Sequence, residues 1–250
     1  MLVDQRRNGI LKTLEEKGFS SLRELADAIQ ASESTVRRDL EYLEGIGQVR
    51  RTRGGAAFVG ESLTGFDDRR NLALREKQKI GRKVAELIGP GETIILDGGT
   101  TTLEVARNLS GKSLQVVTNS LPIVNHLVAV PDVELVFLGG YLYPKTGVAL
   151  GTLTVTALKE IQARRLIMGV GGITPSGLFN SNSLLVETER VMMDSADEVI
   201  IAADSGKLGH SELARLCGLD EIDRLVTDDG ISEDWKNRFE DLGIEVQIAA

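Results

Sequence analysis

Cysteine is nearly missing: Cys217 stands alone in 250 residues, which excludes an internal disulfide and any zinc site built from several thiolates. A reducing, cytoplasmic setting is the default expectation for such a chain. Aromatic residues reach only 4%, too few for the stacking platforms of single-strand nucleic-acid binders. No apolar run approaches the roughly 20 residues of a membrane helix. The charged start Met1-Leu2-Val3-Asp4-Gln5-Arg6-Arg7 leads into no apolar stretch, so neither membrane association nor a secretory signal is expected. The two histidines, His126 and His210, have no partners at metal or triad spacing, so neither a metal nor Ser–His–Asp chemistry is expected. What remains is ordinary for a globular chain, 42% hydrophobic and 26% charged, with length for one large domain or two smaller ones.

The charges are unevenly placed. Formal net charge is −8, yet residues 1–58 hold ten Lys/Arg against nine Asp/Glu, leaving 19 basic and 28 acidic groups on the other 192 residues. Five of those ten basic groups fall between Arg37 and Arg53. Global acidity opposes indiscriminate polyanion binding, but a local basic stripe on a near-neutral head does not.

In that head, Asp4 is suited to cap a first helix carrying Ile10, Leu11 and Leu14, which ends near Lys17-Gly18. Ser21-Leu22-Arg23-Glu24 has the capping-box pattern and opens a helix with Leu22, Leu25, Ala26 and Ile29 on one face. Ser32 can cap a third helix bearing Val36, Leu40 and Leu43 at i, i+4 and i+7, with Ser34, Thr35, Arg37, Arg38 and Glu41 opposite that stripe. After Ile46-Gly47 the period becomes two, through Arg50 and Arg51, then Arg53-Gly54-Gly55, then Ala56-Ala57-Phe58. Two strands about a Gly-Gly turn make the wing of a winged helix-turn-helix. Such a head places its third helix in the DNA major groove, with Ser34, Thr35, Arg37 and Arg38 at base edges or phosphates and Arg50, Arg51 and Arg53 alongside. A helical dimerisation head with a solvated charged face is the plain alternative.

Ser34-Thr35-Val36-Arg37-Arg38-Asp39-Leu40, then Leu43 and Arg51-Thr52-Arg53-Gly54-Gly55-Ala56, resembles the DeoR family of bacterial transcriptional regulators. The resemblance implies a winged head joined to a domain that senses phosphorylated sugars.

Residues 3–58 are thus expected to form the DNA-binding domain, 59–74 a linker without sustained period, and 75–250 an effector-binding and oligomerisation domain. A helix near Arg75–Leu87 precedes apolar runs at Thr93–Leu96, Leu114–Val117, Val133–Leu138, Leu166–Val170, Val199–Ala203, Arg224–Thr227 and Ile244–Ile248. Helical stretches separate most of them, which indicates an α/β domain with a buried, mainly parallel sheet. Ligands bind beyond the carboxyl ends of such strands.

There the sequence places Asp97-Gly98-Gly99-Thr100-Thr101-Thr102, a loop of close-approach glycines and hydroxyl donors opening a helix. It has no Walker lysine, so nucleotide hydrolysis is not implied and no cofactor is expected. Thr118-Asn119-Ser120, Gly139-Gly140, Gly171 and Asp204 with Lys207 follow other strands. Lys207 is the cation suited to a phosphate. Asp97 and Asp204 suit sugar hydroxyls or loop anchoring, and Glu187 either of these or plain solvation. Glycine-rich turns also simply end parallel strands, and for Gly139, Gly140 and Gly171 the two readings stay open. Cys217, in Leu216-Cys217-Gly218-Leu219, reads as a buried core thiol.

Asp97-x-Gly99-Thr100-Thr101, Thr118-Asn119, Gly139-Gly140 and Asp204-Ser205-x-Lys207-x-Gly209 also resemble the family's effector-domain signatures, and that domain resembles the ribose-phosphate isomerase and CoA-transferase fold. Gly206, Leu208 and Leu178-Phe179-Asn180-Ser181 depart from the family pattern. The implied function is a non-enzymatic repressor of a carbohydrate operon, binding operator DNA as a homodimer or larger even oligomer and relieved by a phosphorylated sugar. A sugar-phosphate isomerase or CoA-transferase-like enzyme with an accessory head is the alternative.

Overall fold

In the computed structural model, residues 3–17, 19–45, 49–52, 54–58 and 66–250 are described, and the chain divides into two units, Met1–Arg69 and Arg70–Ala250. The first contains α1 (Val3–Lys17), β1 (Phe19–Ser21), α2 (Leu22–Ile29), α3 (Glu33–Gly45), β2 (Val49–Thr52) and β3 (Gly55–Phe58). Asp4 is the second residue of α1, so it is not the cap the sequence suggested. The capping box at α2 is present: Ser21 Oγ accepts from Glu24 N (3.2 Å) and Glu24 Oε2 from Ser21 N (2.8 Å). Ser32 Oγ accepts from Thr35 N at 3.3 Å and so opens α3. The expected stripe of Val36, Leu40 and Leu43 is buried against Ile10, Leu14, Leu25, Ile29, Val49 and Ala56. Each such side chain contributes roughly 1.5–3 kcal/mol by leaving water.

The wing is a three-stranded antiparallel sheet in the order β1-β3-β2, one strand more than the sequence suggested. Gly55 belongs to β3 rather than to the turn. A Cβ there would lie 2.1 Å from the Ser20 carbonyl oxygen, so β1 can approach only a glycine. Gly18, Ile46, Gly47 and Arg53 lie outside the described residues, as does 59–65 of the expected linker. The remainder of that linker is not irregular: α4 (Phe66–Asn71) occupies it and α5 (Leu74–Leu87) begins inside it.

The second unit continues with β4 (Thr93–Leu96), α6 (Thr100–Ala106), β5 (Leu114–Thr118), α7 (Leu121–Leu127), β6 (Val133–Phe137), β7 (Tyr141–Tyr143), β8 (Val148–Leu150) and α8 (Thr152–Leu158). Then come β9 (Ala163–Met168), β10 (Gly172–Thr174), β11 (Gly177–Asn180), α9 (Ser183–Asp194), β12 (Ala196–Ala202), β13 (Ala214–Cys217), β14 (Arg224–Asp228), α10 (Glu233–Asp241) and β15 (Glu245–Ala249). The seven apolar runs form one parallel sheet in the order β15-β14-β12-β9-β4-β5-β6. Strands β10, β11 and β13, too short and mixed to stand out by period, form a separate antiparallel sheet, and β7-β8 form a hairpin.

At the amino ends of the large sheet, charges alternate from strand to strand. Arg165 pairs with Glu92 and, at 2.6 Å, with Glu198; Arg224 pairs with Glu198 (3.1 Å) and Glu245 (2.9 Å). At the opposite ends the chain reverses its lateral progress, running β4-β5-β6 one way and β9-β12-β14-β15 the other. The crevice between β4 and β9 is therefore a topological switch point.

Candidate functional site

On the head, α3 turns Ser34, Arg37 and Arg38 to solvent, with Thr35 half-buried. Ser32 Oγ hydrogen-bonds both Ser34 Oγ and Thr35 Oγ1 at 2.9 Å, so the two hydroxyls are held at the helix start. Arg37 and Arg38 make no ion pair among the described residues and remain available as cations. Arg51 does not. Its guanidinium meets Glu41 Oε1 at 2.9 Å and Glu44 Oε2 at 3.0 Å, fastening β2 to α3. The backbone of Arg50 lies in β2; Arg53 is outside the described residues. Asp39, next to the arginine pair, is buried and structural: its carboxylate accepts from Arg6 Nε (2.5 Å) and Arg7 Nε (3.1 Å), tying α1 to α3. Arg7 also lies 3.6 Å over the Tyr42 ring.

In the second unit, the predicted residues other than Glu187 follow the carboxyl ends of strands of the large sheet. Asp97 follows β4 and is buried, its N–H donating to Ile167 O of β9 at 3.0 Å. Gly98 packs so closely on Val148 and Ser120 that a Cβ would lie 2.0 Å from Val148 Cγ1. Gly99 caps α6 without any side-chain bond, and Thr100, Thr101 and Thr102 form its buried first turn. Thr102 Oγ1 donates to Gly99 O at 3.0 Å. The N–H groups of a first helical turn have no intrahelical acceptor.

Beside this loop, the Thr118 hydroxyl donates to Leu96 O (2.6 Å) and accepts from Ser120 N (3.1 Å), locking the ends of β4 and β5 together. Asn119 Nδ2 donates to Ala149 O of β8 at 3.0 Å. Asn119 Oδ1 and Ser120 Oγ are buried with no hydrogen-bond partner among the described residues. Gly139 and Gly140 stand after β6, two strands out from β4, where Thr154 Oγ1 donates to Gly139 O at 2.9 Å. Gly171 follows β9 at the switch point. Asp204 is buried after β12, and Lys207 is half-buried in the following turn. Glu187 is exposed on α9.

Three further residues were not among the candidate site residues, although Asn180 lies in the stretch that departs from the family pattern. Asp228, ending β14, accepts from Ser205 N (2.6 Å) and Ser205 Oγ (2.7 Å), fixing the loop that carries Lys207. Asn180, ending β11, donates from Nδ2 to Glu189 Oε1 at 2.7 Å. Glu189 lies on the stripe of α9 formed by Leu185, Val186 and Met192, and a polar residue on an apolar stripe is a legible signal. Burial raises its carboxyl well above the usual range, and the nearby Asp97 charge adds to the shift. By contrast, Cys217 is the inert thiol expected, pushed up to about 12 mainly by burial.

Residues 6–62 match the DeoR-like helix-turn-helix domain and residues 73–229 the DeoR C terminal sensor domain. The chain is 33% identical over 231 residues to the glycerol-3-phosphate regulon repressor of Escherichia coli, covering 91% of this chain and 92% of that protein. It is 30% identical over 250 residues to the transcriptional repressor GlcR of Bacillus subtilis, covering 99% and 97%. Among solved structures it is similar to ribose 5-phosphate isomerase A of Methanocaldococcus jannaschii, with TM-score 0.41 and 17% identity over 54% of this chain and 55% of that one. With a helix-turn-helix head and a sensor domain matched in one chain, the protein is a DNA-binding transcriptional regulator rather than an enzyme, and it belongs to the DeoR family.

Proposed function

We propose that this regulator represses a carbohydrate-utilisation operon and is released from its operator by a phosphorylated sugar bound at the β4–β9 switch point. The observation that carries the effector reading is the convergence there of the α6 start, which has no side-chain cap, the unpartnered Asn119 Oδ1 and Ser120 Oγ, and the Lys207 turn. Lys207 and the first-turn N–H groups of α6 supply charge and donors for a phosphate, while Asp97 and Asp204 serve hydroxyls or hold loops. The Escherichia coli relative is named for a phosphorylated polyol, which supports the same ligand class. On the head, Ser34, Thr35, Arg37 and Arg38 contact operator DNA. Paired half-sites call for a homodimer or larger even oligomer in the cytoplasm.

The ligand acts by binding the DNA-incompetent state more tightly, so DNA must weaken the ligand by the same factor. Calorimetric titration with glycerol 3-phosphate, glucose 6-phosphate and fructose 1-phosphate tests this. Saturable binding without turnover, with loss of operator binding in a mobility-shift assay, is the expected result. Absence of binding by all three overturns the effector reading.

A further inference from the structure

Glu189 is an expensive residue to place where it is. It is buried on the apolar stripe of α9, and an unionised or ionised carboxyl in such a setting costs free energy unless its oxygens are satisfied. One oxygen is: Oε1 accepts from Asn180 Nδ2 at 2.7 Å. The other, Oε2, is buried with no partner among the described residues. The side chain faces the Asp97 charge, so the pair sits beside the strand whose loop opens α6. Asn180 borders the switch point too, since a Cβ on Gly171 would lie 3.1 Å from Asn180 Oδ1. On the β5 side, Asn119 Oδ1 and Ser120 Oγ are likewise buried and unpartnered, and Ser120 Oγ would be 3.4 Å from a Cβ on Gly98. Three buried polar side chains with spare hydrogen-bonding capacity thus flank one crevice. Buried polar atoms in folded proteins are seldom left unpaired, and a ligand is one thing that pairs them.

We propose that Glu189 is a specificity-determining residue of the effector site: held by Asn180 and facing Asp97, it presents its unpaired carboxyl oxygen to a hydroxyl of the bound polyol phosphate. The inference rests on the effector reading above. It assigns the hydroxyl-bearing end of the ligand to Asp97, Asn180 and Glu189, and the phosphate to the other end of the site. Phosphate is unsuited to the Glu189 end, because Asp97 repels it. A hydroxyl suits it, since it both donates and accepts. Retention of the proton by Glu189 in this buried acidic setting gives its carboxyl the same dual capacity. Asn180 is a positioning residue, fixing the carboxyl from the other oxygen.

The test compares full-length wild type with Glu189→Gln and Glu189→Leu, titrated calorimetrically with glycerol 3-phosphate, glucose 6-phosphate, glucosamine 6-phosphate and inorganic phosphate. In wild type, at least one of the hydroxylated phosphates is expected to bind about tenfold or more tighter than inorganic phosphate. Glu189→Gln, whose amide also donates and accepts, keeps that increment within about threefold, whereas Glu189→Leu loses about tenfold or more of it. A cooperative thermal melt certifies that both variants are folded, and the increment is taken over each variant's own affinity for inorganic phosphate. An increment that survives in Glu189→Leu overturns the proposal alone. Glucosamine 6-phosphate binding more tightly than glucose 6-phosphate, in wild type but not in Glu189→Leu, also overturns it, because the acid then reads a cation. Failure of wild type to bind any probe overturns the effector reading and this proposal with it.

Discussion

Arg37 and Arg38 show how much one residue's surroundings decide. Both are exposed cations on α3 without ion pairs among the described residues, while Arg51 is already matched by two glutamates. Arg37→Ala or Arg38→Ala is expected to weaken operator binding by about 1–3 kcal/mol, measured by fluorescence anisotropy, with sugar-phosphate affinity unchanged. Arg51→Ala is expected to act chiefly on the stability of the wing. Glu189 makes a different prediction. Its folded-state proton affinity is raised above the ordinary value of 4.5, so above that pH the folded chain holds a proton that the unfolded chain has released. Stability from this group therefore declines as pH rises from about 4.5 toward the folded value, by up to about 1.4 kcal/mol per pH unit. Glu189→Gln should flatten that slope in denaturant melts. Cys217, at about 12 in the native protein, should react with thiol reagents on the order of 10³-fold faster once the chain is unfolded.

At the scale of elements, most short-range signals in the sequence have their counterpart in the structure, the Asp4 cap, the Gly-Gly turn and the periodless linker being the exceptions. The Ser21 and Glu24 box, the Ser32 start and the seven apolar runs are short-range patterns, and the structure has them. What escaped was non-local. Strand β1 pairs with β3 across 34 or more residues, and Asp39, which the sequence shows only as part of a motif beside two arginines, finds its partners Arg6 and Arg7 on α1. Likewise, Asp97 and Lys207 follow strands and could be placed on one edge by topology. Asn180 ends β11, in a three-stranded antiparallel sheet whose short strands have no clear period, whereas Glu189 stood out on the apolar stripe of α9 without anything in the sequence to join it to Asn180. Asp39→Asn is expected to lower head stability by about 1–3 kcal/mol in thermal melts, by weakening two charge-assisted ties between α1 and α3 at once. An equal melting temperature for wild type and variant would remove Asp39 from that role.

At the scale of the whole molecule, two charge regimes share one chain: a near-neutral head with exposed arginines and a strongly acidic remainder. Operator affinity should therefore fall steeply with salt, by a slope of about 0.9 per phosphate neutralised, and Arg37→Ala should reduce that slope by about one unit. Arg51→Ala should leave it nearly unchanged, which separates cations that displace counterions from cations already matched within the protein.

The large sheet also keeps its two rims for different work. Alternating charges of Glu92, Arg165, Glu198, Arg224 and Glu245 stitch the strands at one rim, and the residues assigned to ligand recognition stand at the other. A lineage built this way can retool what it detects by exchanging rim loops one at a time, without unpicking the seam that keeps the scaffold in register. The same separation makes the chain a practical starting point for engineered biosensors, in which new chemical tastes are grafted onto an unchanged frame.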